Sequence, residues 1–328
     1  MTSASLQATA PEDLAIRRRR RGRGFEYLDA QGKRLTDAAA LERIRSLAIP
    51  PAYREVRIAC EAEAHLQAIG RDDAGRLQYR YHPGWEEVRA RRKDRQIERL
   101  CRALPKIRGR IARDLRGKAL SRDRVLAAVV MLIDKTHIRI GCEGYVHSGR
   151  SRGAATLTKR NAACDGDRIC LRFTGKGGRN VACEVKSAPL GRVLAQLSTL
   201  PGRRLFQYRD SSGRRRRVTA AEVNDYLQEI AGAAVTAKDF RTLAASAAAA
   251  DMLVRVRPAD SVRARRKQVA EAVEAIADML GNTPAVARNS YVLPCVTDAF
   301  LSGRLQRRRR KSKAGLSKSE ALIGRLLE

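Results

Sequence analysis

The chain carries a few reactive side chains at backbone positions that its own sequence specifies tightly. Tyr291 closes the stretch Leu280-Gly-Asn-Thr-Pro-Ala-Val-Ala-Arg-Asn-Ser-Tyr291. Gly281 reads as the terminator of one helix, because glycine takes positive φ at no steric cost. Thr283 reads as the cap of a second, short helix with Pro284 at its first position, where a missing N–H costs nothing. Val292, Leu293 and Pro294 then stop that helix, so a single phenol is held between two helix breaks. A phenol with a pKa of about 10 is a weak nucleophile at neutral pH, yet a good partner for reversible exchange. A core tyrosine in a helical hairpin is the competing reading, and the company Tyr291 keeps decides between them.

That company is cationic. Arg139 follows the strongly apolar helix Val125-Leu-Ala-Ala-Val-Val-Met-Leu-Ile133, which must be buried, and precedes Gly141. Lys176 sits in the glycine-rich turn Thr174-Gly-Lys-Gly-Gly178, at the tip of the second of two hairpins. A lysine there is most simply a solvated one. Lys238 and Arg241 lie in the first turns of an Ala-rich helix from Ala237 to about Leu253, opened by a loose capping box, Thr236 to Asp239. Cations at a helix N-terminus oppose the macrodipole by a few tenths to about 1 kcal/mol each, so an anion is expected near them. Guanidinium groups stay ionised at any working pH.

The elements that must position these groups divide the 328 residues into unequal parts. Residues 1–23 read as a flexible basic arm with five consecutive arginines from Arg17. Residues 24–88 alternate strand-like segments with turns and form a small β-rich domain. Its segment Gln78-Tyr-Arg-Tyr-His82 presents bulky polar and aromatic residues on both faces. Residues 89–302 are mainly helical with a small antiparallel β element from Asn161 to Val185. Residues 303–328 form a basic linker, Arg304 to Lys313, and a short amphipathic helix capped by Ser317 and Glu320. The fold class is α+β.

Composition sets the partner. Lys and Arg total 67 against 35 acidic residues, a formal charge of +32, and the default partner of such a protein is nucleic acid. Aromatics make up only 4%, too few for a single-strand stacking platform, which favours a duplex gripped through its phosphates. The seven cysteines show no zinc spacing and read as thiols in a reducing cytoplasm. No run reaches a membrane-spanning length and the N-terminus lacks a signal h-region. No Gly-Lys-Ser/Thr phosphate loop is present for a nucleotide, and Asp165-Gly-Asp167 reads as a turn and not a Mg²⁺ site. The expectation is a cytoplasmic, nucleoid-associated protein without metal or cofactor.

In order and context, the strings Ile138-Arg-Ile-Gly141, Phe173-Thr-Gly-Lys176, Lys238-Asp-Phe-Arg-Thr242 and Leu280 to Tyr291 resemble the type IB DNA topoisomerases of the small, poxvirus-like bacterial form. Upstream, Ile49-Pro-Pro-Ala-Tyr53, Gly70 to Arg76 and Gln78 to His82 are similar to that family's N-terminal domain. The resemblance spans roughly Gly24 to Ser302. It implies a monomeric C-shaped clamp around double-stranded DNA and relaxation of supercoils without ATP or metal. On this resemblance Tyr291 forms a 3′-phosphotyrosine link. Arg139 and Arg241 hold the non-bridging oxygens, Lys176 protonates the departing 5′-oxygen, and Asn282 donates to a phosphate oxygen where viral enzymes carry His. Gln78, Tyr79, Arg80 and Tyr81 match a groove-contacting strand, and Lys238 a further DNA contact. Exchange of one phosphodiester for another leaves the bond energy nearly unchanged, which accords with the absence of a nucleotide motif.

The chain departs from the family pattern at Ser151-Arg-Gly-Ala-Ala-Thr-Leu157, where Arg152 and Ala154 replace an aromatic and a larger apolar residue, and at Asn161, where His is common. These changes bear on DNA contacts more than on chemistry. Two alternatives stay open on sequence alone: a tyrosine recombinase, which typically carries His at the position of Lys238, and a DNA-packaging protein that binds without catalysis.

Overall fold

The computed structural model describes residues 6–144, 146, 151–306 and 314–328. The chain divides into two compact units, Met1–Arg92 and Lys93–Glu328, and the division falls within one helix.

The first unit is a five-stranded antiparallel sheet with one helix. Its strands are β1 (Ile16–Arg21), β2 (Gly24–Leu28), β3 (Arg54–Ile58), β4 (Leu66–Arg71) and β5 (Leu77–Tyr81), in the spatial order β2-β1-β3-β4-β5. Helix α1 (Ala38–Ser46) is capped by the Asp37 carboxylate. Leu14, Ala59, Ala64, Leu66 and Ile69 form one small core. Ile16, Ile44, Val56, Ile58 and Ala68 form a second, so both faces of strand β4 are covered.

This arrangement corrects the reading of the first 23 residues as a flexible arm. Ile16 and Arg17 pair with Ile58 and Arg57 of β3, and Arg17 to Arg21 pair with Leu28 to Gly24 of β2. Ile16 is buried and packs in the core beside Val56 and Ile58 of β3. The arginine run is accommodated by specific partners. The Arg18 guanidinium donates to the carbonyls of Pro50 (3.1 Å) and Tyr53 (2.6 Å) and lies 4.1 Å from the centre of the Phe25 ring. Arg19 pairs with Glu26 at 2.7 Å. The leader is likewise engaged from Gln7, whose N–H donates to Glu63 and whose carbonyl accepts from His65.

The second unit is mainly helical. Helix α2 (Trp85–Asp114) crosses from the first unit and buries Ile97, Leu100, Leu104, Ile107 and Ile111 along one stripe. Helix α3 (Arg122–Thr136), capped by Ser121, is buried at every position from Arg124 to Val130 and runs through the middle of the core. Strands β6 (Ala162–Asp165), β7 (Arg168–Thr174) and β8 (Asn180–Lys186) make the expected antiparallel sheet, in the order β6-β7-β8. Helix α4 (Ala188–Thr199) and the hairpin β9 (Gln207–Arg209)–β10 (Arg215–Arg217) follow. Five further helices follow: α5 (Ala220–Ala231), α6 (Ala237–Arg255), α7 (Val262–Leu280), α8 (Pro284–Ser290) and α9 (Pro294–Leu301).

Beyond α9, most of the expected basic linker, residues 307–313, lies outside the described residues. Helix α10 (Lys318–Leu327), capped by Ser317 and Glu320 as the sequence predicts, packs on α6 and buries Leu322 and Ile323 in the main core. Arg108 of α2 joins it to α3, bonding the carboxylates of both Asp134 (2.9 Å) and Glu320 (2.8 Å). The C-terminal helix is thus integral to this unit.

Candidate active site

Six of the sequence-selected residues, Arg139, Lys176, Lys238, Arg241, Asn282 and Tyr291, line one cavity of about 700 Å³ in the second unit. Each arrives by a local device. Helix α3 ends at His137, which takes the left-handed conformation (φ 56°), so the chain turns sharply and Arg139 leaves the core. The segment after it is zipped to a second one: the Arg139 carbonyl accepts from Ala154 N–H and the Ile140 carbonyl from Ala155 N–H, both at 2.8 Å. The fit is close enough that a Cβ on Gly153 would lie 2.3 Å from the Arg139 carbonyl oxygen. The Arg152 N–H donates to Thr174 at the end of β7 (2.8 Å), so this segment also fixes the hairpin that carries Lys176.

Tyr291 is placed as the sequence predicts. Gly281 ends α7 with φ 59°, and the Thr283 hydroxyl caps α8, accepting from Val286 N–H. Tyr291 is the C-cap of α8 and is 7% exposed. One residue that the sequence reading missed locks its backbone. Ser246, buried on the Ala-rich α6, donates to the Tyr291 carbonyl (3.0 Å) and accepts from Leu293 N–H (3.1 Å). A lone serine in an alanine run gives no sequence signal for such a role.

Arg241 is 5% exposed and donates to the carbonyls of His137 and Leu280. These carbonyls sit at the C-terminal ends of α3 and α7, where the helix dipoles are negative. The unfavourable position of this cation near an N-terminus is therefore offset by two other helix termini, which the sequence alone did not reveal. Its charge centre lies 5.1 Å from the middle of the Tyr291 ring, within cation–π range.

Asn282 is 8% exposed, and its side-chain carbonyl accepts from Arg139 at 2.5 Å. Its Nδ2 and the Arg241 Nε are buried donors with no acceptor among the described residues. Arg179, a further cavity residue that the sequence reading did not select, donates to the Asn282 backbone carbonyl at 3.2 Å.

The electrostatics are uneven. Burial, reinforced by the charge of Arg139, pushes the Arg241 pKa down to about 10, so it remains a cation at neutral pH. Burial alone would raise the Tyr291 phenol. The charges of Arg139 and Arg241 outweigh it and hold the phenol below its ordinary value. A depressed phenol facing convergent cations is equipped to attack, or to be displaced from, a phosphate.

A family model described as the catalytic core of eukaryotic DNA topoisomerase I matches residues 84–296, well over half the chain. It includes every cavity residue named above. The chain belongs to the type IB DNA topoisomerases. A second model, the N-terminal domain of bacterial DNA topoisomerase IB, matches residues 24–72. Among curated relatives, DNA topoisomerase 1B of Acanthamoeba polyphaga mimivirus is 30% identical over 285 residues, 85% of each chain. DNA topoisomerase I of Monkeypox virus and DNA topoisomerase 1B of vaccinia virus are each 22% identical over 240 residues, 73% of each chain. Family membership decides against the recombinase and packaging alternatives.

Against the topoisomerase pattern, the departures now have structural explanations. Ala154 is fully buried beneath the Arg139 segment, and the Arg152 side chain donates to the Thr156 carbonyl (3.0 Å) while lining the cavity. Asn161 holds the base of the sheet. Its oxygen accepts from the Thr158 N–H and hydroxyl, and its amide donates to Arg172. The other expected DNA contacts lie on β5 of the first unit. Tyr79 and Tyr81 are 45% and 42% exposed and stack with ring centres 6.2 Å apart. Gln78 and Arg80 are tied instead to Asp72 and to the Ala48 carbonyl.

Proposed function

We propose that this topoisomerase relaxes supercoiled duplex DNA by reversible phosphodiester exchange at Tyr291. The observation that carries the reading is the convergence of Arg139, Arg241 and Lys176 on one cavity with a phenol whose pKa the two arginine charges depress. The Tyr291 phenol, whose ionisation the two arginine charges favour, loses its proton to solvent, and its oxygen attacks the scissile phosphorus. The bond to the 5′-oxygen breaks, and Lys176 gives that oxygen a proton, leaving a 3′-phosphotyrosine and a free 5′-hydroxyl. Arg139 and Arg241 neutralise the charge that builds on the non-bridging oxygens, and Asn282 adds a neutral donor. The nicked strand swivels under torsional strain, and the 5′-hydroxyl then attacks in the reverse sense and restores the backbone. Bond energy is conserved, so the scheme requires no ATP, and the guanidinium groups supply the positive charge that the transition state needs. Loss of either arginine is expected to cost about 3–4 kcal/mol of transition-state stabilisation, by the scale of oxyanion donors.

Tyr79 and Tyr81, with Lys238, supply contacts to the duplex in this reading. The protein acts as a monomer in the cytoplasm on nucleoid DNA, a placement that rests on its charge and cysteine chemistry.

The test is relaxation of supercoiled plasmid in EDTA without ATP, with covalent adducts trapped by denaturant. The wild-type protein should relax the plasmid and form an adduct, and Tyr291→Phe should do neither while still binding DNA. Relaxation by both proteins would remove Tyr291 from the mechanism.

A further inference from the structure

The hairpin tip that carries Lys176 is built almost entirely of glycine. Gly175, Gly177 and Gly178 surround the lysine, the last two at φ 76° and 74°. Glycine backbones lose the most conformational freedom when a structure is fixed, so such a tip needs a tie to hold a reacting group in place. Arg179 closes the tip, its carbonyl accepting from Gly175 N–H at 2.7 Å. The Arg179 guanidinium also reaches out of the hairpin to the Asn282 backbone carbonyl, 3.2 Å away. The Asn282 side chain in turn receives the Arg139 guanidinium at 2.5 Å. Two side-chain bonds therefore join the β7–β8 tip, the α7–α8 turn and the segment after α3, three elements that all line the cavity.

We infer that Arg179 is a positioning residue for proton delivery: it latches the Lys176-bearing tip to the Asn282 turn and so sets Lys176 against the departing 5′-oxygen. The inference rests on the reading of Lys176 as general acid. It assigns Arg179 no contact with the reacting phosphate. A long cationic donor suits the task, because it spans from the hairpin to a carbonyl on another element, and that carbonyl is placed by the left-handed Gly281 one residue earlier.

The test compares single-turnover cleavage of two duplexes containing a site that the wild-type protein cuts. One has the normal scissile phosphodiester, and the other has sulfur in place of its 5′-bridging oxygen. A thiol, with an ordinary pKa of about 8.5, leaves as thiolate and needs no acid. Arg179→Ala should slow cleavage of the oxygen substrate by up to about 100-fold, the scale of a misplaced catalytic group. It should cleave the sulfur substrate at close to the wild-type rate and bind the duplex with unchanged affinity. Arg179→Lys should recover only part of the loss, since its shorter side chain brings a donor less readily to the Asn282 carbonyl.

Equal loss on both substrates would overturn the inference and make Arg179 a direct phosphate or folding contact. No loss on either would overturn it as well. Lys176→Ala separates the two levels: if sulfur fails to rescue it, the general-acid reading falls. If sulfur rescues Lys176→Ala but not Arg179→Ala, only the positioning role falls.

Discussion

At Tyr291 burial and charge pull in opposite directions, and the charges of Arg139 and Arg241 prevail. The sign of the consequence follows directly. A phenol held below its ordinary value yields more phenolate at a given pH, so the ascending limb of the pH–cleavage profile should lie below the ordinary phenol pKa of about 10. Removing a cation that stabilises the phenolate must move that limb up. Arg139→Ala is therefore expected to shift it to higher pH as well as lower the plateau, read from single-turnover rates across pH. A lower plateau with an unmoved limb would mean that Arg139 acts only on the phosphate. The identities of Tyr291, Arg139, Lys176 and Arg241 were legible as residue types at marked positions. The two carbonyls that hold Arg241 were not, since His137 and Leu280 are 104 and 39 residues away from it.

The element that matters most for the site is the least regular one. Residues 152–155 bond to the segment of Arg139 on one side and to the end of β7 on the other, and their approach requires that position 153 lack a side chain. A Cβ there would meet three backbone atoms of Arg139 and Gly141 at 2.3–2.8 Å, none of which can swing aside. Gly153→Ala should cost about 1–3 kcal/mol in denaturant unfolding and should depress cleavage through Arg139. Gly109→Ala is the contrast, because a Cβ on that exposed turn of α2 meets nothing within 4 Å. Alanine there should stabilise by up to about 1 kcal/mol, as expected for a helix interior. Equal destabilisation by both would refute the packing argument. Helix caps and hairpin turns were readable in the sequence because their signals are local. The zipper at Gly153 was not, since its two segments lie about fifteen residues apart and its hydrogen bonds are backbone ones.

For the whole molecule, charge sets affinity and packing sets integrity. With a formal charge of +32, binding to duplex DNA should release many counterions. The logarithm of the binding constant should fall linearly with log salt, with a slope of about −0.9 for each phosphate neutralised. Tyr291→Phe should show the same slope, measured by fluorescence anisotropy, since the substitution removes none of the Lys or Arg cations that neutralise phosphate. A slope near zero would contradict phosphate-dominated binding. The charged segments do not all remain solvent tails. The run from Arg17 is a sheet strand, and the chain beyond α9 returns through α10 into the main core.

Local sequence determined the helix ends, the hairpins and the type of each reactive residue, because caps, turns and glycine positions act within a few residues of themselves. It also determined the charge, and with it the class of partner. Tertiary structure alone decided that an arginine run becomes a strand, since the strand β3 that pairs with Ile16 and the carbonyls that receive Arg18 lie in distant segments. It alone decided that Ser246 locks the tyrosine and that Arg179 reaches the Asn282 turn. These are side chains whose partners lie 45 and 103 residues away, at separations where composition and periodicity carry no signal.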